Sequence, residues 1–291
     1  MTQTQLPAPI STTLCVALAQ MRSANAHGPN IDTVGTLAAQ AADRGAELLA
    51  LPEVSGLMNR DFTSAKLQVV AAQNDPFIAA CQGFAAHHQL WIHTGSTPVL
   101  APDGRFLNHS TLIDNNGNIC AAYDKIHLFD VALEGQTPIG ESERFAPGDR
   151  AVLAQTPWGG WGMTICYDVR FAHLYRRYAQ AAATIIFVPS AFTVPTGRAH
   201  WQVLLRARAI ETGAFIVAAA QSGAHADGRK TWGHAMVVDP WGTVLTDMGD
   251  VAPAIDVIEI DLTAVIQARR QIPAWSLNRS YGWEVTPPPL T

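Results

Sequence analysis

Short apolar runs alternate with helical patterns along most of this chain, and that alternation restricts the fold more than any other feature. Leu14 to Gln20 is one such run. Asn30 then predicts an N-cap for a helix over Ile31 to Arg44, Gly45 ends it, and Glu47 to Leu51 has the pattern of a buried strand. This is a β-α-β unit, which joins parallel strands and places a helix on a sheet face. Looser copies follow. Asp75 predicts the cap of a helix reaching about His88, with Leu90 to Pro98 as the next strand; Phe171 to Ala182 reads as a helix before the strand Thr184 to Pro189. A last copy predicts a helix from Gly197 through Glu211, a stop near Gly213 and a strand from Ala214 to Ala220.

Turn chemistry between these units predicts antiparallel pairs as well. Asn115-Asn116-Gly117-Asn118, Trp158-Gly159-Gly160 and Asp239-Pro240-Trp241-Gly242 each mark a hairpin or sharp reversal, so the sheets are expected to be mixed. No Gly/Ser linker, low-complexity tract or shift in composition divides the 291 residues, and the expectation is one α/β domain over 1–291. A proline-rich tail from about residue 284, containing Pro287, Pro288 and Pro289, is expected to lie across a surface or a neighbouring subunit.

A hydrophobic fraction of 48% suffices for a large core, and only 15% of residues are charged, which hints that partner subunits cover some surface. The 19 basic and 24 acidic side chains leave a net charge of −5 with no run of Lys or Arg. Nucleic acid and anionic membrane are therefore poor partners. The stretch Leu14 to Ala19 is too short for a signal core or a membrane span, so a soluble cytoplasmic protein is expected. Cys15, Cys81 and Cys120 sit in apolar stretches where a buried thiol is the ordinary expectation, and no C-x-x-C or zinc-finger spacing occurs.

Three strand ends each place a reactive side chain where an apolar run stops, and such loops are where α/β folds build their sites. They are Leu48-Leu49-Ala50-Leu51-Pro52-Glu53, Ala121-Ala122-Tyr123-Asp124-Lys125 and Gly162-Met163-Thr164-Ile165-Cys166-Tyr167-Asp168. Singly, each has an ordinary explanation: a solvated acid, a lysine reaching solvent, a packed thiol. Together they supply what amide hydrolysis needs, namely a nucleophile, a group to carry its proton to the leaving amine, and a positive site for the oxyanion.

These stretches resemble the nitrilase superfamily of carbon-nitrogen hydrolases, whose members share a Glu-Lys-Cys triad in that order. The matching runs are Leu51-Pro52-Glu53, Tyr123 through Asp130 and Gly162 through Phe171, spaced 72 and 41 residues apart at the triad positions. The likeness extends from about Leu14 to Trp283. It implies a four-layer α-β-β-α sandwich with two mixed β-sheets, a homodimer or larger assembly, and no metal or organic cofactor. The helix Phe171 to Ala182 is the candidate interface. The implied mechanism has Glu53 take the Cys166 proton, Lys125 and the Tyr167 N–H hold the oxyanion, and Glu53 then activate water against the thioester. A second family acid matches Glu141, which would orient Lys125, although spacing alone leaves Glu143 open.

The implied substrate is the primary amide of a small carboxylate, cleaved to acid and ammonia. Pro189 through Trp201 resembles the Nit-type branch, which acts on amides of 2-oxo acids derived from glutamine or glutathione. Ala218 through His225 is similar to the deaminated glutathione amidase side of that branch, with omega-amidase activity on 2-oxoglutaramate as the alternative. Tyr167, Phe192 and Thr193 are the candidate substrate-binding residues, with Arg170 for a substrate carboxylate and Arg198 or Arg206 in competition with it. Other readings are weaker. No H-E-x-x-H, G-x-S-x-G or P-loop is present, a papain-like pair would have to recruit His127 or His173, and a catalytically silent scaffold would not need an intact triad.

Overall fold

The computed structural model describes residues 11–132 and 138–285, whose strands form two main sheets and a short ribbon. The first sheet runs from Lys230–Trp232 through Ala220–Ala224, Thr13–Met21, Leu48–Ala50, Trp91–His93 and Phe106–Ile113 to Thr97–Leu100. Ala254–Asp261 pairs with Thr13–Met21, and Ile119–Asp124 with Phe106–Ile113. The second sheet orders Val244–Asp247, Met236–Val238, Phe215–Ala218, Ala183–Phe187, Gly159–Met163 and Val152–Thr156. Both sheets are mixed, with β-α-β crossovers giving the parallel pairs and tight turns the antiparallel ones.

Strand alternation explains the layers, because successive side chains point to opposite faces. Along Thr13–Met21, Leu14, Val16 and Leu18 join one core cluster with Trp161, Met163, Ile185 and Phe187 of the second sheet. Ala17, Ala19 and Met21 face the other way and pack with Val34, Leu37, Phe77 and Cys81 of helices His27–Asp43 and Pro76–His88. Helices Ala172–Gln180 and Val194–Thr212 cover the outside of the second sheet through Leu174, Tyr175, Tyr178, Trp201 and Leu205. The result is the α-β-β-α sandwich.

Several local expectations need correction. Asn30 does not cap the first helix, which begins at His27; its side chain instead accepts from the Ala24 N–H and donates to the Ala24 and Gly56 carbonyls. Leu90 to Pro98 is two strands, because Gly95, at φ +66° against the backbone of Leu51 and Pro52, turns the chain to the far side of Phe106–Ile113. Ala214 to Ala220 divides at Ala219: Phe215–Ala218 belongs to the second sheet and Ala220–Ala224 to the first. Cys120 is exposed and Cys15 only partly covered, while Cys81 is buried as expected. Leu174, Tyr175, Tyr178 and Ala179 of Ala172–Gln180 are buried within this chain. The tail prolines Pro287, Pro288 and Pro289 lie outside the described residues.

Candidate active site

All three strand ends open on one cavity of about 800 Å³, lined by Glu53, Lys125 and Cys166 among others. That volume is within the range of about 300–1,000 Å³ that suits small-molecule ligands. A smaller cavity of about 190 Å³, between Ile210, Trp241, Ile272 and Trp275, shares none of these residues.

Backbone strain marks two of the three entries. Cys166 follows the strand Gly159–Met163 and turns at φ +51°, fixed by its N–H donating to the Pro189 carbonyl at 2.9 Å. Val54, next to Glu53, has φ +52°, an outlier for a β-branched residue. Conformations of this kind cost about 1–3 kcal/mol each and persist only where surrounding contacts impose them. Here the Val54 N–H donates to Ser96 Oγ at 2.8 Å, and Gln221 Nε2 donates to the Glu53 carbonyl at 2.9 Å.

Lys125 is 2% exposed and bridges two carboxylates. Its Nζ is 2.9 Å from Glu53 Oε1 and 3.0 and 2.9 Å from the two oxygens of Glu141. Burial alone would depress the lysine pKa, but the adjacent Glu141 and Glu53 outweigh it and hold the ammonium well above its ordinary value. Glu53 is tied further. Asn108 Nδ2 donates to its Oε1 at 3.0 Å and the Ala191 N–H to its Oε2 at 2.8 Å. The Phe129 N–H donates to Glu141 Oε2 at 2.6 Å.

The Cys166 thiol is pushed well above its ordinary pKa, chiefly by burial and then by the Glu53 carboxylate, with Lys125 opposing. A thiol in this setting stays protonated until a base takes its proton. Glu53 is the carboxylate that shares the cavity with it and helps to raise its pKa.

Asp168 joins the lysine and cysteine arms. It is fully buried and accepts from Tyr123 Oη at 2.6 Å, from the Ile165 N–H at 2.9 Å and from the His127 N–H at 3.0 Å. Its Oδ1 also lies 2.7 Å from His127 Nδ1. His127 stacks on Phe171 and is not part of the cavity wall, so no Cys-His pair forms.

Tyr167, Phe192 and Thr193 line the cavity with the triad. Glu141 does too and contacts Lys125, whereas Glu143 is exposed with its side chain beside Gly140. Arg170 does not line the cavity; its guanidinium lies over the rings of Tyr167 and Phe192, where the cation meets aromatic faces. Arg198 lies over Trp232 and Arg206 donates to the Gly242 carbonyl. Besides Lys125, the cations that do line the wall are Arg60, Arg144, Arg229 and Lys230. Sequence reasoning also missed Asn108, Gln221 and Asp168, of which only Asp168 had a signal, its place in the Cys166-Tyr167-Asp168 run. Among the described residues no cluster of three or more His, Cys, Asp or Glu is placed to hold a metal ion, and no helix is long and apolar enough to cross a membrane.

Known proteins agree with this geometry. The family profile described as carbon-nitrogen hydrolase matches residues 15–270. A Synechocystis sp. protein named deaminated glutathione amidase is 38% identical over 265 residues, 89% of this chain and 95% of its own length. The Caenorhabditis elegans NitFhit protein superposes with a TM-score of 0.85 at 33% identity, over 94% of this chain and 66% of that one, so the likeness is to part of it. An amidase variant from Nesterenkonia sp. AN1, holding the acetamide moiety of fluoroacetamide on its active site cysteine, superposes with a TM-score of 0.73 at 27% identity, over 92% and 97% of the two chains. The chain belongs to the carbon-nitrogen hydrolase family, the nitrilase superfamily of enzymes that hydrolyse non-peptide C–N bonds.

Proposed function

We propose that this chain cleaves the amide of a 2-oxo acid through a thioester on Cys166, and that deaminated glutathione is the substrate. The observation that carries the chemistry is a buried thiol sharing one cavity with Glu53, with Lys125 held between two carboxylates. Glu53 takes the thiol proton as sulfur attacks the amide carbon; the C–N bond then breaks and the amine leaves with that proton. Water, deprotonated by Glu53, opens the thioester and regenerates the thiol. Lys125 has three short contacts for three hydrogens, two of them to the same Glu141 carboxylate. When those two share one hydrogen, another is left for the oxyanion. The Tyr167 N–H supplies a second donor, since it lies in the first turn of Cys166–Arg170, where no intrahelical acceptor exists. Glu141 positions Lys125, while Tyr167, Phe192 and Thr193 shape the acyl pocket.

The substrate rests on the relatives' name and on the size of the cavity. In deaminated glutathione the γ-amide is secondary, so the leaving amine is cysteinylglycine; ammonia leaves only from primary amides such as 2-oxoglutaramate. Both reactions release 2-oxoglutarate, which gives one assay for both. The test compares deaminated glutathione, 2-oxoglutaramate, a simple aliphatic amide and a nitrile, with Cys166→Ala as control. Deaminated glutathione is expected to have the highest kcat/KM, and the control none. A clear preference for 2-oxoglutaramate would turn the reading to omega-amidase activity, and an active control would end the thioester mechanism. A homodimer or larger assembly is part of the proposal, supported by the exposed Ile210, Trp241 and Ile272 beside the smaller cavity, and light scattering reads it.

A further inference from the structure

The chain carries net charge −5, yet four cations besides Lys125 line its catalytic cavity. Arg60 and Arg144 line it together with Arg229 and Lys230, which lie on the hairpin of Ala220–Ala224 and Lys230–Trp232. That hairpin is docked against the acyl-pocket loop: Thr231 bridges Thr193, and the Trp232 N–H donates to the Phe192 carbonyl at 2.9 Å. Lys230 is thereby fixed beside the pocket rather than left on a free loop. Only Arg229 has a carboxylate partner, Asp227, and among the described residues Arg60, Arg144 and Lys230 have none within 4.0 Å. Arg144 is half-buried, anchored by its two terminal nitrogens to the Arg60 and Asn59 carbonyls at 2.9 Å, and its buried Nε has no hydrogen-bond partner. Burial first, then the neighbouring Arg229 and Arg60, lower its pKa, with the Asp227 and Asp61 carboxylates opposing.

Nothing in the thioester chemistry uses these groups. Glu53 and Glu141, the acids lining the cavity, are already engaged by Lys125. We infer that Arg60, Arg144, Arg229 and Lys230 form a carboxylate-binding subsite that selects amides with an anionic end over neutral amides. A guanidinium recognises a carboxylate through paired N–H donors, and clustered cations raise the local concentration of an anionic substrate. The inference rests on the amidase reading above and adds the residues that set its specificity. Arg170, by contrast, is not among the residues that line the cavity.

The test uses the exposed, unpaired pair Arg60→Gln and Lys230→Gln, singly and together, because Arg144 also holds the loop carbonyls. Binding is read first by calorimetry on Cys166→Ala protein, with deaminated glutathione, its glycine-carboxamide form and butyramide as probes. The double variant is expected to bind deaminated glutathione about tenfold more weakly, the product of two partly screened ion pairs. In the active protein the ratio of kcat/KM for deaminated glutathione to that for butyramide is expected to fall by a similar factor, mostly through KM. The carboxamide form is expected to lose less than the parent compound when its freed end is the one the rim holds. Equal binding of deaminated glutathione by parent and double variant would overturn the subsite, as would an equal loss for butyramide. A parent that binds deaminated glutathione but turns over no amide would instead overturn the proposed function and leave the subsite standing.

Discussion

Replacing Glu141 by Gln keeps the shape of the side chain and removes one negative charge from the pair that holds Lys125. Glu141 makes two contacts to Nζ, at 3.0 and 2.9 Å, and accepts the Phe129 N–H at 2.6 Å, with its side chain only 13% exposed. Solvent therefore screens little of this interaction. Hydrogen bonds to charged groups contribute about 1.5–3 kcal/mol each against about 0.5–1.5 for neutral ones, so two contacts lose roughly 2–3 kcal/mol. A glutamine has one acceptor oxygen, and its NH₂ must then face either the ammonium or the Phe129 N–H, which adds to the loss. If Lys125 is needed in position at the transition state, kcat/KM falls about 30- to 150-fold. Steady-state release of 2-oxoglutarate from deaminated glutathione reads this directly. Glu143→Gln is the control and is expected to stay within twofold of the parent, because Glu143 is exposed and outside the cavity wall. A folded Glu141→Gln variant within threefold of the parent, or an equal loss in Glu143→Gln, would refute the positioning role.

Asp168→Asn is expected to lower stability by about 3 kcal/mol, since a buried carboxylate that serves four donors is replaced by a group that must turn an NH₂ toward one of them. Urea unfolding measures it, and a midpoint equal to the parent's would contradict the account. Glu53→Gln should separate reactivity from turnover. Burial first and the Glu53 carboxylate second hold the Cys166 pKa up, so removing that carboxylate moves it down and raises the thiolate fraction at a given pH. Alkylation of Cys166 by iodoacetamide at pH 8 is expected to quicken while amide turnover collapses; slower alkylation would show that Glu53 does not raise the thiol.

Much of this site was legible because each triad residue ends an apolar strand, and a strand end is a local pattern. The sheets were legible for the same reason, and so was the stop of a helix at Gly45 or its start at Asp75. What a local pattern cannot carry is a partner from elsewhere in the chain. Asn30 has the composition of a cap, but the carbonyls of Ala24 and Gly56 compete for its amide, and the helix starts a turn earlier. The apolar run through Ala219 gives no sign that the chain leaves one sheet for the other there. The contacts of Glu53 to Asn108, Ala191 and Gln221 span 55, 138 and 168 residues, so no spacing rule finds them. The rim cations are likewise brought together from three distant stretches, at Arg60, Arg144 and Arg229-Lys230, which no local pattern joins.

The claim under everything else is that Cys166 carries the acyl group. Intact-mass and peptide-mapping spectrometry on Glu53→Gln protein, incubated with fluoroacetamide or deaminated glutathione, tests it most directly, because loss of the base slows release of the acyl group. The account predicts a single adduct on the peptide containing Cys166. An unmodified Cys166, or an adduct confined to the exposed Cys120, would contradict it.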